Sequence, residues 1–394
     1  MYNRVALALL LILVVTFSVT SAVLQDRSSA TVEAPMLEVD PFWPKPLPNN
    51  WVLGWTVGVF ADAQDRIWVV HRPKTLEAAE RYGADKVSEC CFAAPPVLAF
   101  DQAGNLLKSW GGPGPGYDWP DGEHGISVDH KGNVWIAAQN APDSHVVKFT
   151  QDGKFLLQIG KPKMAKGSHD TENVNRATKV WVDSATNEAF VSDGYGNRRV
   201  VVFDADTGKY KRHWGAYGNR PDDADPYNAG FASVGKDYDP NKPAQQFGRA
   251  VHGIAISKDG LVYVNDRTNN RVQVFRKNGT FVKEAFIARN TRGDGSSFDT
   301  AFSADPAQRF LYVADGSNHK VHVLVRDTME EVTTFGSGGR QPGMFYAVHN
   351  VASDSKGNVY TAETRRGQRV QRFIFKGIGR VPRDQKVLWP KSNL

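Results

Sequence analysis

One pattern of strand-forming residues and turns repeats along this chain about every 50 residues, and this repeat limits the folds that the sequence can adopt. Each copy contains a strand, a turn built from Gly, Asp or Asn, a second strand that ends in Asp or a substitute, a loop, a third strand with the pattern Arg/Lys-Val-x-x-Phe, and a fourth strand. The clearest copies begin at His124, His252 and His349, and weaker copies begin near Val57, Thr178 and Thr300. No helical periodicity of comparable length competes with this alternation.

Six such units, each with four strands, predict an all-β fold in which a six-bladed β-propeller closes around a central channel. We expect residues 51–394 to form the propeller, after an extended Pro-rich segment at residues 23–50. A segment near residues 51–54 is expected to supply the strand that closes the ring. Residues 216–247, which are rich in Asp, Pro, Asn and Gly, are expected to form a long loop at one mouth of the channel, with a disordered insertion as the alternative.

The N-terminus predicts export from the cytoplasm. An apolar run follows Arg4 and ends near Ser21 and Ala22, so residues 1–22 have the features of a signal peptide. The alternative is an uncleaved N-terminal membrane anchor, whereas cleavage would leave no stable membrane insertion. Either way, the body of the protein is expected to be periplasmic or secreted. The two cysteines, Cys90 and Cys91, are adjacent, so they predict either a vicinal disulfide or two free thiols.

The charge distribution argues against a nucleic-acid partner. The formal net charge of +6 comes from 48 basic and 42 acidic residues that are scattered along the chain. A nucleic-acid-binding surface usually needs clustered basic residues, and the sequence contains no block of five or six like charges. The expected partner is a small-molecule or peptide substrate, and the sequence identifies no protein partner.

The spacing within the repeat predicts a cluster of three histidines. His252 is separated from Asp266 by 266 − 252 = 14 positions, and His349 is separated from Glu363 by the same interval. Because a tight turn folds the second strand back along the first, both residues of each pair should lie at one end of the channel. Alternate blades of a six-fold ring are about 120° apart, so His124, His252 and His349 should converge on the axis. Three protein ligands with an open fourth position are typical of catalytic zinc sites, although repeat ancestry could also copy a structural histidine.

Three further side chains are expected at the same mouth, since they follow the ends of equivalent second strands. Arg72 and Arg267 directly follow these strands, and Tyr195 lies one residue further along in its copy. Arginine binds carboxylates through two hydrogen bonds, and a tyrosine beside a divalent cation can serve as a base. The alternatives are arginines that pair with neighbouring Asp residues and a tyrosine that belongs to a common turn. His71 is expected to support this site without touching a metal.

These motifs resemble those of the lyase half of peptide α-amidating enzymes, peptidyl-α-hydroxyglycine α-amidating lyase, a six-bladed propeller of NHL-type repeats with zinc and calcium. The resemblance extends from Trp51 to about Phe373. It rests on five motifs: His71-Arg72, His124-Gly125-Ile126, Asp193-Gly194-Tyr195, Asp266-Arg267 and Val348-His349. It implies that His124, His252 and His349 bind zinc and that Tyr195, Arg72 and Arg267 are catalytic.

The resemblance also implies a calcium site. The corresponding ligands are the backbone carbonyls of Val59 and Ile126 and the residue after the last zinc ligand. This chain has Asn350 where the family has Asp, so the site carries less negative charge than the family's site. The chain also has Gly196 where the family has a cysteine of a loop disulfide.

The resulting functional hypothesis is an exported zinc-dependent lyase. The resemblance implies that it cleaves a carbinolamide, a peptidyl-α-hydroxyglycine-like compound with a carboxylate, to an amide and glyoxylate. One alternative is a metal-dependent lactonase or other hydrolase, although such sites usually contain Asp, Glu and Asn ligands instead of three histidines. The other is a non-catalytic NHL propeller that binds a partner through its loops, because fold alone does not determine function.

Overall fold

The computed structural model describes residues 31–228, 230, 233–385 and 387–390. The predicted signal peptide, residues 1–22, therefore lies outside the described residues. Within the described ranges the regular secondary structure consists of β-strands and five short 3-10 helices, joined by turns and loops. None of the helices in these ranges is both long enough and apolar enough to cross a membrane.

The strands are numbered in chain order. Two strands precede the first blade: β1 (Thr31–Asp40) and β2 (Trp51–Val52). The first blade and its insertion contain β3 (Trp55–Ala61), β4 (Ile67–Arg72), β5 (Phe92–Ala93), β6 (Val97–Phe100) and β7 (Leu106–Trp110). The second blade contains β8 (Glu123–Val128), β9 (Val134–Ala138), β10 (His145–Phe149) and β11 (Phe155–Gly160). The third blade contains β12 (Lys179–Asp183), β13 (Glu188–Asp193), β14 (Arg199–Asp204) and β15 (Tyr210–Trp214).

The remaining blades follow the same order. The fourth blade contains β16 (Val251–Ile256), β17 (Val262–Asp266), β18 (Arg271–Phe275) and β19 (Phe281–Phe286). The fifth contains β20 (Asp299–Phe302), β21 (Phe310–Asp315), β22 (Lys320–Val325) and β23 (Glu331–Phe335). The sixth contains β24 (Val348–Ser353), β25 (Val359–Glu363) and β26 (Arg369–Pro382), after which comes β27 (Asp384–Gln385). The 3-10 helices are Pro73–Thr75, Ala78–Arg81, Ala216–Gly218, Arg267–Asn269 and Arg365–Gly367.

The predicted six-bladed β-propeller is confirmed. Within each blade the neighbouring strands pair antiparallel, and the innermost strands are β3, β8, β12, β16, β20 and β24. Alternating apolar side chains of neighbouring blades pack together, as where Trp135 of blade 2 shares a buried cluster with Val180 and Val191 of blade 3. The core is therefore a ring of inter-blade layers, because no single sheet can bury both of its faces.

The turn after each innermost strand begins with a side chain that accepts hydrogen bonds. This residue accepts from a backbone N–H further along the turn or the next strand, which fixes the hairpin. In blade 2, for example, Asp129 accepts from the N–H groups of Lys131 and Asn133. The residues in this position are Asp62, Asp129, Asp183, Ser257, Ser303 and Asp354.

The ring is closed by β1 instead of the expected segment at residues 51–54. β1 pairs antiparallel with β26 and supplies the outermost strand of blade 6. The side chains of Ala34, Leu37 and Val39 are buried in this position, which explains why β1 can complete the blade. Residues 51–52 instead pair in parallel with β5 of the insertion in blade 1. The propeller therefore includes β1, which precedes the predicted boundary at residue 51.

The segment between β15 and β16 corresponds to the predicted loop at residues 216–247. Its described residues contain one short 3-10 helix and no strand. The loop packs against the segments that follow the second strands: the side-chain amide of Asn228 donates to the carbonyl of Thr268 (2.8 Å), and Arg198 donates to the carbonyl of Asp225 (2.9 Å). The loop therefore lies at the end of the channel that carries the histidines.

Candidate active site

The three predicted histidines occupy irregular positions in their strands. The pairing of the innermost strand with the second strand shifts at His124 in blade 2, at His252 in blade 4 and at His349 in blade 6. In blade 4 the neighbours of His252 pair with consecutive residues of β17, which leaves His252 as the unpaired residue of a β-bulge. A bulge redirects a side chain and is often found beside an active site.

The structure brings these histidines into one triangle. The ring centroids of His124 lie 4.8 Å from those of both His252 and His349, and the latter two centroids are 4.6 Å apart. One ring nitrogen of each histidine lies within 4.8 Å of the other two, and all three residues are buried. The spacing and convergence are those of a site that could bind a metal ion.

Hydrogen bonds fix the orientation of each imidazole ring. The Nδ1 atom of His124 donates to the carbonyl of Thr178 (2.8 Å), and that of His252 donates to the carbonyl of Phe298 (2.7 Å). The Nδ1 atom of His349 lies 2.5 Å from the side-chain oxygen of Asn350. With the proton on Nδ1, each Nε2 keeps a lone pair for a metal, and such second contacts are typical of metal-binding histidines.

The electrostatic environment keeps the triangle neutral. Burial lowers the pKa of all three histidines, and that of His349 falls to about 3. The mutual repulsion of the rings and the charge of Arg267 lower the pKa values of His124 and His252 further. In the described structure the Nε2 atoms of His124 and His252 are buried and have no hydrogen-bond partner. Buried polar atoms usually have a partner, so these two nitrogens fit a metal ion.

Tyr195 and Arg267 lie beside the triangle. Arg267 donates from Nη1 to the hydroxyl oxygen of Tyr195 (2.9 Å), and its guanidinium group lies 5.2 Å from the centroid of that ring. The ring of Tyr195 lies 5.5 Å from that of His124 and 5.9 Å from that of His252. The structure thus joins the proposed proton-transfer group, a cationic partner and two of the three histidines.

Buried ion pairs position the turns that carry these residues. Asp193 accepts from Arg199 just before Tyr195, and Asp266 accepts from Arg271 just before Arg267; both contacts measure 2.8 Å and all four side chains are 0% exposed. Breaking such a pair is expensive because it leaves one buried charge uncompensated. The turns are therefore held firmly, which favours a fixed geometry at the site.

A glycine allows the Tyr195 turn to approach the neighbouring blade. A Cβ atom on Gly194 would lie 2.1 Å from the carbonyl oxygen of Val251, the residue before His252. A larger residue would clash with this backbone, so the glycine of the Asp-Gly-Tyr motif is needed for the close contact between blades 3 and 4.

Arg72 lies on the blade 2 side of the mouth. It donates from Nε to the carbonyl of Glu123 (2.6 Å) and from Nη2 to the side-chain oxygen of Gln139 (2.8 Å). Burial lowers the pKa of Arg72, while the charges of Tyr195 and Glu123 act in the opposite direction. The charge of Arg72 also lowers the pKa values of His124 and His349, so this arginine acts electrostatically on the triangle.

Arg176 is a site residue that the sequence reasoning missed. It donates from Nε to the carbonyl of Gln139 (3.0 Å), and its own carbonyl accepts from the backbone N–H of Tyr195 (3.2 Å). Burial lowers its pKa, and the charge of Tyr195 opposes this effect. Arg176 precedes β12 in an irregular turn, outside the 14-residue register, so the repeat pattern contains no signal for it.

The remaining predicted residues are buried, and His71 is held by backbone groups of two loops. The Nδ1 atom of His71 accepts from the backbone N–H of Gly54 (3.0 Å), and its Nε2 lies 3.0 Å from the carbonyl of Pro95. Burial lowers the pKa of His71 to about 4. His71 therefore supports the backbone around Arg72. Val59 and Ile126, for which a calcium site was predicted, are buried in β3 and β8.

Cys90 and Cys91 form a vicinal disulfide within the insertion between β4 and β6. This insertion reaches the last blade, where the side chain of Gln368 donates to Glu80 (3.3 Å). The disulfide thus belongs to a segment that spans from blade 1 to blade 6 at the mouth.

Comparison with known proteins supports the family suggested by the motifs. The NHL repeat family matches residues 251–275, which cover the first three strands of blade 4. Peptidyl-glycine alpha-amidating monooxygenase B of Xenopus laevis is 26% identical over 63% of this chain and 26% of its own length. Peptidyl-alpha-hydroxyglycine alpha-amidating lyase 2 of Drosophila melanogaster is 27% identical over 47% of this chain and 45% of its own length.

The chain thus spans about a quarter of the amphibian protein and less than half of the insect protein. A solved structure of a protein of unknown function from Bacteroides thetaiotaomicron shares the fold, with a TM-score of 0.52, 11% identity and coverage of 87% of this chain and 77% of that chain. These matches show that the chain is similar to NHL-repeat proteins and to proteins named as peptidyl-glycine α-amidating monooxygenase and peptidyl-α-hydroxyglycine α-amidating lyase.

Proposed function

We propose that the protein is a zinc-dependent lyase that cleaves a carbinolamide, R-CO-NH-CH(OH)-COO⁻, to the amide R-CO-NH₂ and glyoxylate. The observation that carries the proposal is the contact between Tyr195 and Arg267 beside the buried triangle of His124, His252 and His349. The relatives named as amidating lyases support the same reaction class.

Zinc suits the donor set of this site. Three neutral imidazoles, of which His124 and His252 have buried Nε2 atoms without a hydrogen-bond partner, match the ligands that zinc prefers and would leave a fourth position for substrate. When bound, zinc supplies a Lewis acid that polarises the carbinol oxygen. The other steps depend on side chains of this chain.

Tyr195 would transfer the proton. In its deprotonated form, the phenolate oxygen of Tyr195 would accept the proton of the carbinol hydroxyl, and the carbon–nitrogen bond would break as the carbonyl of glyoxylate forms. The proton then passes to the amide nitrogen, so that atoms and charge balance. The hydrogen bond from Arg267 stabilises negative charge on the tyrosine oxygen during this transfer, since charge-assisted hydrogen bonds are stronger than neutral ones.

The arginines would hold the carboxylate of the substrate. Arg72 lies close enough to affect the histidines electrostatically, and Arg176 reaches the same side of the mouth through its contact with Gln139. A guanidinium group that binds the carboxylate places the carbinol carbon in a fixed position relative to Tyr195. We therefore expect substrates without a carboxylate to be poor.

A product assay tests the reaction. Purified protein is loaded with zinc and incubated with α-hydroxyhippurate, and benzamide and glyoxylate are quantified separately. Equal amounts of both products are expected, whereas hippurate, which lacks the hydroxyl group, should remain intact. The His252→Ala variant is the matched control and should form neither product. Hydrolysis of simple lactones without cleavage of α-hydroxyhippurate would instead identify a metal-dependent hydrolase.

We also propose that the protein acts outside the cytoplasm. The apolar N-terminal residues support export, and the disulfide between Cys90 and Cys91 is of a kind that persists in oxidising compartments. Fractionation of cells that express the full chain checks this localisation, and recovery only from the cytoplasm would contradict it.

A further inference from the structure

The layer of residues below the histidine triangle contains two opposite charges. The pairing of the innermost and second strands places one residue of five blades in this layer, and in blade 2 the contact of Gly125 with Lys179 places it there. These residues are Gly58, Gly125, Lys179, Gly253, Asp299 and Asn350. Blades 3 and 5 lack the bulge that presents a histidine, and they contribute the lysine and the aspartate.

Lys179 and Asp299 form an ion pair across the channel. The ammonium group lies 2.8 Å from both carboxylate oxygens, and the two side chains are only 2% and 0% exposed. The pair joins blade 3 to blade 5. On its other side, Lys179 lines a cavity of about 550 Å³ at the opposite mouth, so the pair separates this cavity from the histidines.

The glycines of the layer make room for this pair. A Cβ atom on Gly125 would lie 3.0 Å from the Cα and Cβ atoms of Lys179, and one on Gly253 would lie 2.7 Å from a carboxylate oxygen of Asp299. The glycine after His124 and the glycine after His252 therefore leave the space that Lys179 and Asp299 occupy below the triangle.

The residues predicted to bind calcium do not fit a second cation here. Asn350 donates from its amide nitrogen to Asp299 (3.0 Å), and its oxygen contacts His349. Calcium sites need six to eight oxygen ligands, and their affinity depends on the charge of these ligands. Among the described residues of this layer, Asp299 is the only carboxylate, and Lys179 already neutralises it.

We propose that the ammonium group of Lys179 takes the place of a second bound cation in the channel, so that the folded propeller does not need calcium. Both a lysine and a divalent ion supply positive charge to a buried carboxylate, but the lysine is covalently part of the chain. The proposal does not depend on the lyase reaction, and its test does not measure activity.

The first test uses the parent protein. Zinc-loaded protein is dialysed into calcium-free buffer, its metal content is measured, and its thermal midpoint is recorded with and without calcium at about 5 mM, above the dissociation constants of weak extracellular calcium sites. We expect no bound calcium and midpoints that agree within about 1 °C. About one calcium ion per chain, or a higher midpoint with calcium, would overturn the proposal.

Variants of the ion pair give the second test. Lys179→Met leaves the buried carboxylate of Asp299 without its partner, so its midpoint should fall strongly in calcium-free buffer and rise when calcium is added. The double variant Lys179→Met with Asp299→Asn removes both charges and should show no calcium response. Lys148→Met is the matched control because Lys148 of β10 is also a buried lysine, with its ammonium group 3.8 Å from Asp129 and 3.7 Å from Asp206, but it lies outside the channel layer.

Lys148→Met should not respond to calcium. A Lys179→Met variant as stable as the parent, or one that calcium does not stabilise, would contradict the role of the ammonium group. If Lys179→Met does not fold, the double variant and the parent measurements still decide the question: a double variant that calcium stabilises would refute the proposal.

Discussion

Replacement of Tyr195 by phenylalanine separates chemistry from metal binding. The ring keeps its place beside His124 and His252, but the hydroxyl group that accepts from Arg267 is lost. A hydrogen bond to a charged group contributes about 1.5–3 kcal/mol, so the variant should be somewhat less stable but folded. No histidine of the triangle changes, and the zinc content should equal that of the parent.

The substitution should also lower kcat, and this effect is separate from the loss of stability. A group that transfers a proton contributes about 10²- to 10⁴-fold to kcat, which corresponds to about 2.7–5.4 kcal/mol in the activation barrier. Because the carboxylate contacts of the substrate do not involve the tyrosine hydroxyl, KM should change little by comparison.

The assay measures glyoxylate formation under saturating substrate, with zinc content determined on the same samples. Tyr263→Phe is a matched control, since Tyr263 is also buried and its hydroxyl accepts from an arginine, Arg326 (3.4 Å), but it packs in the core between blades 4 and 5. The control should keep most of the parent kcat. If Tyr195→Phe retained turnover within a factor of about two of the parent, Tyr195 would have no proton-transfer role in this range.

Three further predictions concern the metal, the arginine and the pH dependence. His124→Ala, His252→Ala and His349→Ala should each lose most bound zinc by metal analysis, because two imidazoles cannot complete the site, whereas His145→Ala should keep it; equal zinc in all four variants would contradict the triangle. Arg267→Lys keeps a positive charge but loses the planar guanidinium group that contacts Tyr195, so kcat should fall, and an unchanged kcat would remove Arg267 from the mechanism. Burial alone would lower the pKa of His322, but hydrogen bonds to Asp315 and Glu331 raise it to about 9. Because the pKa of His322 is higher in the folded protein than in the unfolded chain, where it is about 6.5, protonation of His322 stabilises the fold fully below that pH. This stabilisation should be lost as the pH rises through 9, and it is at most about 3 kcal/mol because Glu331 is partly exposed. Urea unfolding at both ends of this pH range should therefore show a larger loss of stability for the parent than for His322→Gln, and equal losses would show that this pKa is not raised.

The sequence was sufficient to predict the propeller and the convergence of its histidines. Each repeat consists of strands that are neighbours in the sequence and pair with each other. The turn after each first strand therefore determines which residues lie at the same end of the channel. Tyr195 and Arg267 could be located by the same reasoning, because each follows a second strand whose final acidic residue pairs with an arginine of the third strand.

Contacts between distant parts of the chain could not be predicted in this way. β1 closes the ring by pairing with β26, and nothing in its alternation identifies a partner so far along the chain. The ion pair between Lys179 and Asp299 also joins distant parts of the chain, and the sequence reasoning did not predict it. The register assumed a histidine-like position near Thr178 and Thr300, but blades 3 and 5 lack the bulge, so β12 and β20 begin pairing at Lys179 and Asp299.

The distribution of bulges also explains why three histidines converge on the channel axis. A bulge occurs in blade 1 as well as in blades 2, 4 and 6, but in blade 1 the residue in that position is Val57, which has no metal-binding atom in its side chain. Blades 3 and 5 present Thr178 and Phe298 at this level, and their carbonyls hold the Nδ1 atoms of His124 and His252. The blades between the histidines therefore orient the ligands without adding a fourth. Structural zinc sites are normally closed by four protein ligands, whereas catalytic sites keep one position open, so the three histidines that converge among the described residues fit the proposed catalytic role.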